Sequence, residues 1–408
     1  MLAVRVDEHY ALAGDVVYQV GFFIGAGKGP RPFKCAGEAG DFFRASCLWT
    51  AKTQPDWIRS HVMRMKIAHL FAVGSFRVGT APIPAPAPGR VLVAVKSVGI
   101  CASDIHYFES GKIGDQVCRF PQLLGHECSG VVSFAPSGSG FAEGDRVAVE
   151  PSLGCGSCAQ CTSGNAHLCS MVRFLGMPGM PGAFQEIIEI DEKQLFRLPP
   201  MLSFDEGAIL EPAGVACHAV NISRIAPGQS IAVFGAGAVG LLSLAIAKIR
   251  GAGETFIFDK VSSRLGVAKS LYGADHAVDV NAQDPLAYIL NATQGRGVDI
   301  AFEAAGQQQT FSWSFSAPRS GGKTVLIGIP SEDLMYFNAH EVRRKELQVL
   351  NVRRSNGELE ECIEMTVSGT LTLKGLATHH FPLEHITDAF NLAVSRGDGV
   401  IRAMIRYP

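Results

Sequence analysis

From Val91 to Leu198 the chain is built of short apolar runs cut by glycine, proline and aspartate: "VLVAVKSV", "SGVVSFAP", "GDRVAVEP" and "GAFQEIIEI". Runs of that length, rich in branched side chains and bounded by turn formers, predict a β-rich region. The preceding stretch, "MKIAHLFAVGSFRVGTAPIPAPAPG", reads as strand, turn and proline-rich bend, so the fold is expected to begin near Met65. At Ser230 the rhythm changes. "SIAVF", "AVGLLSLAIAKIRG", "ETFIF", "VSSRLGVAKSLYG", "HAVDV", "VDIAFEAAG" and "KTVLIGI" alternate strand and helix patterns. Such alternation predicts βαβ units, with a parallel sheet covered by helices on both faces. After "ELQVLNVRR" come helix candidates over 357–368 and 383–395 and a last apolar run, "VIRAMIRYP". The expected fold class is α/β, a doubly wound parallel sheet following a β-rich domain.

Residues 1–64 carry no sustained period, and Cys35 and Cys47 lack ligand-like spacing. They are expected to be an appendage, disordered or translated from a start placed too far upstream. The opening "MLAVRVDEHYALAG" has acidic residues and no apolar core with a cleavage site, which argues against a secretory signal and leaves the cytoplasm as the expected location. Over 230–247 the chain is free of charge, yet its glycines fit a soluble phosphate-binding turn better than a membrane span. The 408 residues suffice for two or three domains. A net charge of -2, without long runs of one sign, gives no reason to expect a nucleic-acid partner.

"VFGAGAVG" places Gly235, Gly237 and Gly240 in G-x-G-x-x-G spacing after an apolar strand and at the start of a helix. In that context the glycines serve a tight turn, close approach of backbone to a pyrophosphate, and helix–strand packing. Free N–H groups at the helix start face the phosphates. Asp259 ends the next strand, "ETFIFD", ~20 residues on, where a carboxylate accepts ribose hydroxyls and repels a 2′-phosphate. NAD is the expected cofactor, although Lys260 and Arg264 stand close by in the sequence.

Of the 11 cysteines, four fall in "CGSCAQCTSGNAHLC": Cys155, Cys158, Cys161 and Cys169. Their C-x2-C-x2-C-x7-C spacing can close a tetrahedron around one zinc, and a site with all four positions filled is structural. "GICASDIHY" and "LLGHECSG" each end an apolar run and offer Cys101, then His126 and Glu127. Three donors with one open position are what a catalytic zinc takes. Glu211, in "AILEPAGVACHA", is a carboxylate in apolar surroundings that calls for a partner such as a metal.

These motifs, with "THHFPLEHITDAF", resemble in kind and order the zinc-dependent medium-chain dehydrogenase/reductase family, and within it the sorbitol (polyol) dehydrogenase branch, over residues 65–408. The resemblance implies a GroES-like catalytic domain of residues 65–208 plus 350–408, with a Rossmann NAD-binding domain at 209–349. It makes Cys101, His126 and Glu127 the catalytic zinc set, and Glu211 a fourth acid that meets metal or substrate. Asp104 orients the ligating histidine; an aspartate capping a turn gives the same pattern. Ser103 begins a proton relay, where a local backbone cap is the alternative. Tyr107 lines the substrate pocket or packs in the core, and Arg353 reaches substrate hydroxyls or is merely solvated. Where relatives usually have tyrosine next, this chain has Arg354. Val239, Arg264, Ile327, Gly328 and Ile329 match positions that line the cofactor. The implied activity is reversible hydride transfer between NAD and a polyol or other secondary alcohol, in a homo-oligomer with two zinc ions per chain. A related enzyme acting on threonine or a 2,3-diol is the alternative, and an inactive cofactor-binding protein a second; intact metal ligands speak against the latter.

Overall fold

The computed structural model describes residues 4–9, 17–22 and 63–408. Within the first stretch, Val4–His9 and Val17–Phe22 pair antiparallel, Val4 opposite Phe22. The expectation of an appendage otherwise falls on residues outside those described. Contacts divide the chain between Met63 and Arg64.

Past that division the first sheet is organised by its longest strand, Arg90–Gly99. One edge pairs antiparallel with Glu127–Phe134. The other edge is shared: Ile187–Asp191 takes its first half, and Arg402–Arg406, from the far end of the chain, takes Ser97 to Gly99. Arg146–Val149 and Leu195–Arg197 extend the sheet on one side, and Ala377–Pro382 on the other. Alternate residues of these strands face a core of valines, isoleucines and phenylalanines.

The second sheet is wholly parallel. Ile231–Phe234 lies at its centre, with Thr255–Asp259 and His276–Asp279 on one side and Val298–Glu303, Pro318–Leu326 and Gln348–Asn351 on the other. All residues of Ile231–Phe234 and Val298–Glu303 are buried, as expected for strands covered on both faces. The chain order reverses between these two strands, so a crevice opens beyond their C-terminal ends. The uncharged 230–247 run is thus one strand, the glycine turn and most of the helix Ala238–Ile249. Among the described residues no helix is long and apolar enough to cross a membrane.

A 20-residue helix, Phe204–Ser223, ties the sheets together. Ser203 caps it, accepting from the Glu206 N–H while the Glu206 carboxylate accepts from the Ser203 N–H. It packs on the strands Arg90–Gly99, Arg146–Val149 and Glu127–Phe134, and also on Ala238–Ile249 and Leu359–Val367. The edge strand Gln348–Asn351 straddles the boundary drawn at 349/350 from the sequence, since it pairs with Pro318–Leu326.

The C-terminal helix Ile386–Ser395 drives Phe390 into the first core, where its ring centroid lies 4.7 Å from Phe76, 5.0 Å from Phe108 and 5.7 Å from Phe184. Phe390→Ala is expected to destabilise the protein by ~3–5 kcal/mol, read as a lower midpoint in chemical denaturation. A midpoint unchanged from the parent would mean that this cluster does not hold the terminal segment.

Candidate functional site

Cys101 follows the strand Arg90–Gly99 and caps the helix Ala102–Ser110; His126 and Glu127 open the strand beside it. Because Gly99 and Glu127 are register partners, the two loops end side by side. The sulfur of Cys101, a ring nitrogen of His126 and a carboxylate oxygen of Glu127 lie within 4.8 Å of one another. Glu127 is fully buried, and neither of its oxygens has a hydrogen-bond partner among the described residues. Arg402 Nη2 stands 3.2 Å from Oε1 as an ion pair, off the hydrogen-bonding direction. A side chain at 99 would collide with this carboxylate, since a Cβ there would lie 2.3 Å from Glu127 Oε2. An orphaned buried carboxylate beside a thiol and an imidazole fits a divalent metal of borderline softness such as zinc.

Asp104 braces the set. Its Oδ2 accepts from the Cys101 N–H at 3.1 Å, its Oδ1 accepts from the Gly125 N–H at 3.2 Å, and Oδ1 is 3.6 Å from His126 Nδ1. Burial pulls the His126 imidazolium down, but Asp104 and Cys101 overcome it and hold the group well above its ordinary range. A metal ligand must be neutral imidazole, so metal uptake here releases a proton. Ser103 Oγ lies 3.5 Å from His126 Nε2.

The cysteine loop closes on itself. The sulfurs of Cys155, Cys158, Cys161 and Cys169 lie within 4.8 Å of one another, with Cys155 to Cys161 at 4.0 Å and Cys158 to Cys169 at 3.7 Å. A tetrahedron with metal–sulfur bonds of ~2.3 Å has edges of about 3.8 Å, so the spacing suits zinc. The N–H of Cys155 and that of Met171 donate to Cys169 Sγ, and the Cys158 N–H donates to Cys155 Sγ. Hydrogen bonds from the Ser157 and Cys158 backbone bring the Cys155 thiol down to about 6, favouring thiolate.

At the crevice of the parallel sheet, Gly235 takes a left-handed conformation (φ 108) as the strand turns into Ala238–Ile249. A Cβ at Gly240 would lie 1.9 Å from the Gly235 carbonyl oxygen, whereas a Cβ at Gly237, the helix cap, would meet nothing within 4 Å and face open space. That open side is where a pyrophosphate meets free N–H groups. Asp259 Oδ2 accepts from the Ala236 N–H at 2.6 Å and Oδ1 from the Val261 N–H at 2.9 Å. Its carboxylate is thereby held at the rim of the glycine turn. Ile327 and Gly328 donate their N–H groups to the Glu303 carbonyl, and a Cβ on Gly306 would lie 2.1 Å from the Ile329 carbonyl oxygen. Val239 is half-buried beside this turn.

Residues 87–200 match the family model described as alcohol dehydrogenase GroES-like domain, and residues 238–368 match zinc-binding dehydrogenase. Sorbitol dehydrogenase of Bacillus subtilis (strain 168) is 36% identical over 84% of this chain and 97% of its own length. The chain belongs to the zinc-binding dehydrogenase family. L-idonate 5-dehydrogenase of Vitis vinifera is 30% identical over 85% of the chain and 96% of its own length. A solved oxidoreductase/dehydrogenase of unknown specificity from Escherichia coli superposes with a TM-score of 0.79 at 32% identity, covering 84% of this chain and 99% of that one. This dehydrogenase is therefore an NAD-linked, zinc-dependent oxidoreductase with a GroES-like half and a Rossmann half.

The remaining residues singled out in the sequence are placed unevenly. Glu211 is buried on the long helix, outside the set of donors that meet within 4.8 Å; burial, with Glu127 and Glu150 adding to it, pushes its carboxyl up to about 8. Tyr107 is buried one helical turn from Ser103, its hydroxyl donating to Gln116 Oε1 at 3.1 Å and pushed up to about 12 chiefly by burial. Arg353 is exposed and makes no hydrogen bond or ion pair among the described residues. Its neighbour Arg354 is half-buried instead, its left-handed backbone (φ 63) redirecting the chain at that point. Arg264 does not keep its guanidinium free toward the cofactor crevice: Nε donates to the Val400 carbonyl at 2.9 Å, and Nη2 donates to the same oxygen. That contact fastens the Rossmann half to the segment leading into Arg402–Arg406.

Sequence reasoning missed Glu150 and Arg402. Glu150 is a buried acid whose carboxylate accepts from Ser355 Oγ at 2.6 Å, and burial pushes it up. Arg402 is a buried cation donating to the Ile100 carbonyl at 2.7 Å. Each is a charge among apolar residues, Glu150 at the end of "VAVE" and Arg402 inside "VIRAMI", the signal that had pointed to Glu211.

Gly240→Ala forces the turn apart. It is expected to cost ~1–3 kcal/mol of stability and to weaken NADH binding about tenfold or more, measured by thermal denaturation and by NADH fluorescence titration.

Proposed function

We propose that this protein oxidises a polyol or related secondary alcohol reversibly with NAD, at a site where Cys101, His126 and Glu127 hold a catalytic zinc. The convergence of those three donors around an otherwise unpartnered carboxylate carries the reading. Zinc, when bound, supplies the electrophile that makes an alcohol acidic near neutral pH. The chain does the rest. Asp104 fixes the loops that present Cys101 and His126, and Arg402 balances the buried charge of Glu127. Ser103, beside His126, takes the substrate proton and passes it outward; Tyr107 stays protonated and bounds the pocket wall. Glu211, whose carboxyl burial raises to about 8, would be the fourth acid toward metal or substrate.

Gly235, Gly237 and Gly240 would receive the pyrophosphate of NAD and Asp259 its ribose hydroxyls, with Val239 and the turn Ile327, Gly328 and Ile329 bounding the rest of the cleft. Cys155, Cys158, Cys161 and Cys169 hold a second, structural zinc. Burial of Tyr107 and Glu211 excludes water from the reacting region and strengthens every charge interaction there.

Two further features belong to this reading. The nine described cysteines are all unpaired, in keeping with a cytoplasmic, reducing compartment. Among the described residues the strand Gln348–Asn351 pairs on one side only, and Leu334, Tyr336 and Phe337 are exposed, which suits a homo-oligomer.

Zinc-replete protein is expected to form NADH with sorbitol or xylitol, and a chelator to stop it; inactivity across these, threonine, 2,3-butanediol, D-gluconate, L-idonate and sorbitol 6-phosphate would sink the reading. Cys101→Ser is expected to lower kcat on the order of 1,000-fold, the several kcal/mol that a metal electrophile contributes, while NADH still binds. Cys158→Ser should instead lower thermal stability and zinc content first. Asp259→Ala is expected to weaken NAD and narrow the preference over NADP, checked by comparing kcat/KM for the two cofactors; an unaltered preference would reject the ribose assignment.

A further inference from the structure

Arg354 is a cation placed inside the catalytic half without an acid to pair with. Its Cζ lies 4.7 Å from the centroid of the Phe174 ring, and the same ring stands 5.1 Å from the ring of His126. Guanidinium and metal-site imidazole thus share one aromatic neighbour. The two hydrogen bonds that Arg354 makes are weak: Nη1 to the His167 carbonyl at 3.4 Å and Nη2 to Met177 Sδ at 3.9 Å. Among the described residues no carboxylate oxygen lies within 4.0 Å of it, while Arg146, Arg197, Arg250, Arg319, Arg402 and Arg406 each have a carbonyl or carboxylate at short range. Burial lowers the guanidinium to about 10, Arg353 adding to this and Glu150, Glu211 and Tyr107 opposing, so it is charged at working pH yet poorly solvated.

A half-buried guanidinium with most of its donors unspent is costly unless something anionic completes it. The Phe174 ring, 4.7 Å from Cζ, covers one side of the guanidinium, whose fork of N–H groups suits a carboxylate or phosphate. We propose that Arg354 receives the oxyanion end of the substrate, so that the preferred substrates are polyhydroxy acids or polyol phosphates rather than neutral polyols. This rests on the dehydrogenase reading above and names its substrate class. The reacting hydroxyl lies at Cys101, His126 and Glu127, and an open-chain sugar acid extends from there past Phe174 to the guanidinium.

The test compares D-gluconate, L-idonate and sorbitol 6-phosphate with D-sorbitol as substrates of the zinc-replete enzyme and its Arg354→Gln and Arg354→Lys variants. An anionic substrate is expected to have the higher kcat/KM in the parent. Arg354→Gln is expected to cut the anionic-to-neutral ratio of kcat/KM on the order of 100-fold, mainly through KM for the anion, the size of a hydrogen-bonded charge pair. Arg354→Lys restores part of it. Preference for the sugar acids assigns a carboxylate, and preference for sorbitol 6-phosphate a phosphate. Sorbitol preferred by the parent, or a ratio that Arg354→Gln leaves alone, overturns the proposal while the dehydrogenase reading stands. Calorimetric titration of gluconate and sorbitol 6-phosphate into the zinc- and NADH-loaded protein separates the two claims. Anion binding lost in Arg354→Gln, without turnover of any alcohol, upholds Arg354 and rejects the reaction; no binding of either anion rejects Arg354.

Discussion

One buried carboxylate, Asp104, braces the two chain segments that the pairing of Arg90–Gly99 with Glu127–Phe134 brings side by side. It accepts from the N–H of Cys101 and from the N–H of Gly125, and faces the imidazole of His126. A charge at 1% exposure is costly to bury, and those two N–H groups and the imidazole compensate for it. The thiol, the imidazole and the carboxylate of Glu127 then meet without any of them having to search. Loosening this brace shifts donors relative to one another, and a metal site tolerates little of that.

The second constraint is continuity between the halves. The last strand, Arg402–Arg406, returns to the first sheet and pairs with the strand that delivers Cys101. Two residues upstream, the Val400 carbonyl receives the Arg264 guanidinium from the Rossmann half. Arg402 itself reaches the Ile100 carbonyl and the Glu127 carboxylate. The cofactor side and the metal side are thus coupled through a few consecutive residues near the C-terminus, in addition to the long helix Phe204–Ser223 that packs on both.

Much of this was legible in the sequence, and the parts that were not share a physical reason. The parallel strands were legible because burial on both faces writes them as largely apolar runs, as in "IAVF" and "TFIF". The cysteine loop was legible because its partners are local, and the glycine turn because close packing at Gly240 admits no other residue. What depends on long-range pairing was not. Nothing in "VIRAMIRYP" says that it lies against "VKSVG", and so the buried partnership of Arg402 with Glu127 was missed. Arg264 carries no mark of its engagement with a carbonyl 136 positions later. That Arg354 and not Arg353 is half-buried goes with a left-handed conformation at a non-glycine residue, which leaves no compositional trace.

The two sets of metal donors differ in how much of the chain each needs. Cys155 to Cys169 form a small closed loop with backbone N–H groups already aimed at the sulfurs, so that loop can organise as soon as it leaves the ribosome. Cys101, His126 and Glu127 meet through the pairing of two strands, and the buried charge of Glu127 is balanced only when Arg402 arrives with the last strand beside Arg90–Gly99. The four-cysteine loop is therefore complete within 15 residues of chain, whereas the other three donors wait for the last strand of the protein to arrive.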